Sequence, residues 1–278
     1  MAQKRKNATA STEGVPLQAV VRRAHICFER IIPDALDPER HVRRALRGEL
    51  VAAAGGAKKL GADAVGQVAR MAVMTSKKWP PGCNLRCRFL DGSAKMQKKV
   101  RTQAKEWEKH ANVKLKFMAK GPAEVRISFY ADDGSWSAVG RDALNASYFP
   151  LHQPTMNFGW VRDDSDPVED RAVILHEFGH ALGCIHEHQS PTFERKWEKA
   201  AVMKYFKGPP NYWDEEGIRD NVLFKYSPKG IKATRFDPKS IMLYAFDGEL
   251  FADGRGPTNQ NAQLSATDRA MIRQMYPR

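Results

Sequence analysis

The chain has 278 residues, 42% of them hydrophobic and 28% charged, which is ordinary globular composition and enough for one substantial domain with an appendage, or two small domains. No apolar run reaches membrane-spanning length and no internal repeat is evident, so neither a membrane partner nor a solenoid is expected. The net charge of +13 could steer acidic partners, but no zinc-finger spacing or aromatic-interleaved basic motif accompanies it, and no specific nucleic-acid partner is expected.

In chain order, residues 1–20 are small, polar and basic and read as disordered. The basic start has no apolar stretch behind it, so it does not read as a secretory signal. The four cysteines, Cys27, Cys83, Cys87 and Cys184, are too few and too irregular for a disulfide framework. Both features favour a reducing compartment, with cytoplasmic residence or non-classical export expected and secretion the alternative. Asp37-Pro38-Glu39 opens a helix with Val42, Ala45, Leu46 and Leu50 on one face and Gly55-Gly56 as its stop. A second helical or extended piece covers Ala62 to Met74. Residues 1–76 are expected to be an extension that packs on a main domain of residues 77–278.

The main domain starts near Trp79-Pro80. Leu85, Cys87 and Phe89 alternate, so residues 84–90 read as a strand. Asp91-Gly92-Ser93 turns into a helix with Met96, Val100, Ala104, Trp107 and Ala111 on one face. Val113–Phe117, Val125–Phe129 and Thr155–Phe158 read as further strands. Asp166 and Pro167 read as N-cap and first residue of a helix, with Glu169 and Asp170 in its first turn and an apolar run after them. Beyond residue 186 the chain is rich in Gly, Pro and aromatics and lacks periodicity. Ser265-Ala-Thr-Asp268 starts a last helix through Met275 with a capping-box pattern. Strands interleaved with two long helices, then an irregular half ending in a helix, make an α+β fold with a twisted, mostly parallel sheet.

Residues 176–191 hold four of the eight histidines. On a helix, His176 and His180 share one face, and such a pair suits a zinc ion. Glu177 lies beside that face, where its carboxylate can reach a water on the metal. Gly183 permits a turn that brings His186 back as a third nitrogen ligand. Three protein ligands leave a position open, which marks a catalytic rather than a structural zinc site. His188 falls outside this set and reads as a supporting or surface histidine.

The pattern H-E-x-x-H-x-x-G-x-x-H followed by a methionine turn, here Ser240-Ile-Met242-Leu-Tyr244, resembles the metzincin metallopeptidases. Glu187 after the third histidine and Tyr244 two past the methionine resemble the astacin branch. So do Trp79-Pro80, Trp136-Ser-Ala-Val-Gly140-Arg141, Asn221-Val-Leu-Phe224 and Leu264-Ser265 with Asp268. The likeness covers about residues 77–277. The chain departs from the family at Leu243, where a histidine is usual, and in lacking a placeable pair of disulfides and the Phe-x-Gly-Asp propeptide segment.

The resemblance implies a zinc endopeptidase acting on protein or peptide substrates, with one catalytic Zn2+ per chain. It implies Glu177 as general base, Met242 as an apolar floor under the ligands, and Tyr244 as a switch that leaves the metal to meet the oxyanion. Trp136, Ser137, Ala138, Val139 and Gly140 would form the cleft's edge strand and pair with an extended substrate. Cys27 is a candidate zinc ligand in a latent form, against the alternative of a buried structural cysteine. A monomer is favoured. Other readings are a different metzincin branch, a zinc-binding protein without peptidase activity, and a nucleic-acid-binding protein with an incidental metal site.

Overall fold

The computed structural model describes residues 27–30, 73–74, 76–208, 212–226, 231–232 and 235–278. The helix expected to open at Asp37, and all of the piece expected at residues 62–74 except Val73 and Met74, lie outside the described residues.

The elements run β1 (Phe28–Arg30), β2 (Val73–Met74), β3 (Asn84–Phe89), α1 (Ala94–Ala104), β4 (Lys114–Met118), β5 (Val125–Ser128), β6 (Ser135–Ala138), β7 (Met156–Phe158), α2 (Pro167–Ala181), α3 (Lys199–Lys207), α4 (Glu215–Ile218), β8 (Ile231–Lys232) and α5 (Ala266–Met275). The sheet has the order β1-β6-β7-β5-β3-β4, and every neighbouring pair is parallel except β6 with β7. The expected α+β architecture is therefore present. A separate two-stranded ribbon pairs β2 with β8 antiparallel. No helix among the described residues is long and apolar enough to cross a membrane.

The alternation read in β3 holds at Leu85 and Cys87, which are buried, while Phe89 is only half-buried and Arg86 turns outward to pair with Glu124. β5 is buried on both faces, as a central parallel strand must be. Its one charged residue, Arg126, is satisfied by the carbonyls of Ala123, Phe149, Pro150 and Gln153.

Helix α1 starts as expected, with the Ser93 hydroxyl accepting from the Met96 N–H. It ends seven residues short of Ala111, at Ala104, and a 3-10 turn over Trp107–Lys109 takes its place. The tighter turn keeps Trp107 fully buried while its indole N–H donates to the Leu175 carbonyl on α2. Tertiary demand for that bond, and for the large buried ring, outweighs helix continuation.

One core cluster fills the space between the sheet and helices α1 and α2, with Phe158, Phe178, Met156 and Trp107 among its most buried members. Burying each such side chain contributes about 1.5–3 kcal/mol. A second, aromatic cluster holds the irregular half together: Phe193, Phe206, Phe246 and Phe251 are fully buried or nearly so, and Trp197 stacks on Phe251. The methionine turn joins the two, because Met242 belongs to the first cluster and Tyr244 to the second.

Candidate metal centre

The helix that carries the histidines is fixed at both ends by its own sequence. The Asp166 carboxylate accepts from the N–H groups of Val168 and Glu169, and Pro167 occupies the first turn. Asp170 is buried and pairs with Lys99 of α1 at 2.7 Å. At the other end Gly183 has φ +90, and the N–H of Gly183 and of Cys184 return to the carbonyls of His180 and Gly179. That left-handed turn reverses the chain as the sequence requires and returns His186 to the helix.

His176, His180 and His186 are all buried. The Nε2 atom of His180 lies 3.1 Å from that of His176 and 3.0 Å from that of His186. Each Nδ1 faces an acceptor: the Ile241 carbonyl at 2.8 Å, the Cys184 carbonyl at 2.9 Å and the Gln189 side-chain oxygen at 3.1 Å, respectively. An acceptor at Nδ1 fixes the proton there and leaves the Nε2 lone pair for a metal. Burial pushes the His176 imidazole down to about 4 and holds His180 and His186 well below the usual histidine range. Three neutral rings thus aim lone pairs at one point, an arrangement that repels itself unless a cation sits among them. The donor set fits zinc.

A fourth donor joins them. Cys27 Sγ lies 3.4 Å from His186 Nε2 and 3.8 Å from His180 Nε2, and the four ligand atoms all fall within 4.8 Å of one another. Cys27 is 2% exposed. The Tyr244 phenol contacts His186 Nε2, lies 3.1 Å from the Cys27 sulfur and donates to the Cys27 carbonyl. Glu177 is fully buried and lines, with His176 and Tyr244, a cavity of about 550 Å³. Glu169, Asp170 and Asp247 also line this cavity, and no Lys or Arg among the described residues does.

The strand expected to stand open to substrate is occupied. Phe28, Glu29 and Arg30 of β1 pair in parallel with Trp136, Ser137 and Ala138. Val139 and Gly140 lie past the strand's end, where a 3-10 turn over Gly140–Leu144 begins. An unpaired edge strand is a template for any extended segment, and here the chain supplies its own.

Met242 is fully buried. A Cβ on Gly179 would stand 2.4 Å from the Met242 sulfur, so the glycine between the first two histidines is needed for the methionine to approach. Glu187 is buried; its N–H donates to the Met242 carbonyl and its Oε1 accepts from the Asp237 N–H. Burial pushes its carboxyl up to about 8. His188 is fully buried rather than on the surface, stacked on His186 and donating to the Asn221 carbonyl. That carbonyl belongs to a short π-helical turn, Arg219–Leu223, whose Asp220 carbonyl also accepts from the Gln189 amide. Sequence reasoning missed Gln189 and the carbonyls of Ile241 and Cys184. The one available signal was Gln189 standing three residues after His186; a main-chain carbonyl has none.

Comparison with known proteins follows the same lines. The family model for the astacin peptidases matches residues 72–198. The structure of myroilysin superposes with a TM-score of 0.71 at 37% identity, covering 74% of this chain and 98% of that one. The chain belongs to the astacin family. Zinc metalloproteinase nas-30 of Caenorhabditis elegans is 30% identical over 104 residues, 37% of this chain. Bone morphogenetic protein 1 of Xenopus laevis is 26% identical over 192 residues, 63% of this chain. The chain spans 12% and 24% of the length of these two astacin-family relatives, so the shared part is a fraction of each. The family match includes both helix histidines, Glu177 and His186, while Met242 and Tyr244 lie beyond it.

Proposed function

We propose that this chain is a zinc endopeptidase that hydrolyses peptide bonds of proteins, and that Cys27 keeps it latent. The observation that carries the reading is the convergence of three Nε2 atoms, each with its Nδ1 on a fixed acceptor, beside a buried glutamate. His176, His180 and His186 would hold one zinc ion per chain. When bound, zinc supplies Lewis acidity toward a water molecule and the scissile carbonyl.

Glu177 takes the proton of the attacking water and returns it to the leaving amine. Tyr244 donates a hydrogen bond to the developing oxyanion. Its phenol already donates to a peptide carbonyl, that of Cys27, so a substrate carbonyl in the same place would meet the same donor. Strand β6 supplies main-chain hydrogen bonds to an extended peptide once β1 leaves. Latency follows from two contacts made by one short segment: the Cys27 sulfur at the metal site and β1 on the substrate strand. A thiolate is a good zinc ligand and closes the position that catalysis needs open.

The test compares Glu177→Ala with the parent in a full-length Cys27→Ser background. The variant should bind one zinc by elemental analysis yet cleave casein-derived peptides at least about 10²-fold more slowly, the usual scale of general acid–base help. Parent-like cleavage by Glu177→Ala would refute the mechanism.

A further inference from the structure

The last helix reaches the zinc ligand through a chain of hydrogen bonds. Asp268, at the third position of α5, is fully buried. Its Oδ1 accepts from the Ser240 hydroxyl at 2.8 Å. Ser240 Oγ in turn accepts from the Met242 N–H at 3.1 Å. That N–H and the Ile241 carbonyl belong to one peptide group, and the carbonyl accepts from His176 Nδ1 at 2.8 Å. The donors all point one way, from the imidazole toward the carboxylate. Meanwhile Asp268 Oδ2 accepts from the N–H groups of Ile241 and Ser265. Burial pushes this carboxyl up, and its three donors pull it back toward the charged form.

We infer that Asp268 and Ser240 are positioning residues that tune His176 as a zinc ligand, through the Met242–Ile241 peptide group. The inference rests on reading His176 as a ligand. A carboxylate at the end of such a chain polarises each bond in it, and successive bonds strengthen one another. The peptide carbonyl becomes a better acceptor, the Nδ1 proton is held more firmly, and electron density at Nε2 rises. Carboxylates that bond directly to a ligating histidine act in this way and matter about 10–100-fold in metal affinity. Here a hydroxyl and a peptide group stand between carboxylate and ring. The same carboxylate is half of the α5 capping box, so one residue both starts the helix and aims the ligand.

The experiment measures zinc affinity of the full-length chain by competition with a chromophoric chelator, alongside thermal unfolding of the zinc-free protein. Ser240→Ala removes the hydroxyl and should weaken zinc binding by about 10-fold or more. Ser240→Thr keeps the hydroxyl and should restore most of it. Asp268→Asn should weaken binding to a similar degree, and the double variant should be no weaker than the worse single one, because both cut the same chain. If Asp268→Asn does not fold, the alanine and threonine pair at residue 240 decides the matter. Variants that lose thermal stability but bind zinc like the parent, or whose effects simply add, would overturn the inference. The control His176→Ala separates the two levels: zinc affinity unchanged in that variant would remove His176 from the site itself.

Discussion

The phenol of Tyr244 and the backbone of Cys27 are joined in this structure. Tyr244 donates to the Cys27 carbonyl, and its oxygen lies 3.1 Å from the Cys27 sulfur. A residue proposed for catalysis is thus held by the residue proposed to block it, and releasing one frees the other.

Cys27→Ser should therefore activate the full-length chain. A serine hydroxyl is a far weaker zinc ligand than a thiolate, and each ~1.4 kcal/mol lost from the latent state is tenfold in the open population. Peptide hydrolysis should rise by about tenfold or more. X-ray absorption at the zinc edge should show sulfur in the parent and none in the variant. Equal activity together with no zinc–sulfur signal would reduce Cys27 to a buried structural cysteine.

Tyr244→Phe keeps the ring that packs between His186 and Phe246 and removes only the phenol oxygen. A donor aimed at charge that develops in the transition state contributes about 10²–10³ in kcat. In the Cys27→Ser background, zinc content and KM should stay near the parent values while kcat drops on that scale. Unchanged kcat would leave Tyr244 as a packing residue.

Gly179→Ala tests the fit between zinc helix and methionine turn. The added carbon would meet the Met242 sulfur at 2.4 Å and the Trp107 ring at 3.3 Å. Overpacking in a filled core costs about 1–3 kcal/mol. The urea midpoint should fall accordingly, and a smaller residue at 242 should recover part of it. A midpoint no lower than the parent's would show that the turn is not packed against this face.

Acid should destabilise the zinc-free protein before it titrates the carboxylates fully. Burial lowers His176 to about 4 and His188 to about 3, against an ordinary 6.5. Below pH 6.5 the unfolded chain takes up protons at these rings and the folded chain does not, so unfolding becomes easier. The contribution is fully present above pH 6.5 and is lost as pH falls toward 4 and then 3. Each ring contributes at most about 1.4 kcal/mol per pH unit in that window. His188→Phe, which keeps an apolar ring without the titration, should flatten the stability–pH curve measured by urea unfolding. An unchanged slope would argue that His188 is not buried neutral.

Much of the metal centre is written locally. The spacing of His176 and His180, the N-cap at Asp166, the left-handed glycine at 183 and the capping box at Ser265 all act over one or two helical turns. Within that range, side-chain type and backbone preference favour the geometry without a distant partner. The alternating strands β3 and β4 were legible for the same reason.

Other features were decided only when distant parts of the chain met. Helix α1 stops at Ala104 because Trp107 must reach Leu175, across 68 positions of sequence. The acceptors that orient His176 and His180 are main-chain carbonyls of Ile241 and Cys184, and a carbonyl has no residue identity to read. Gly179 looks like any variable position of the motif until Met242 arrives beneath it. Strand β6 carries no sign of its partner, because backbone hydrogen bonding along an open edge accepts any extended segment. Which segment pairs there, and that its cysteine then reaches the three histidines, depends on the return path of the whole chain.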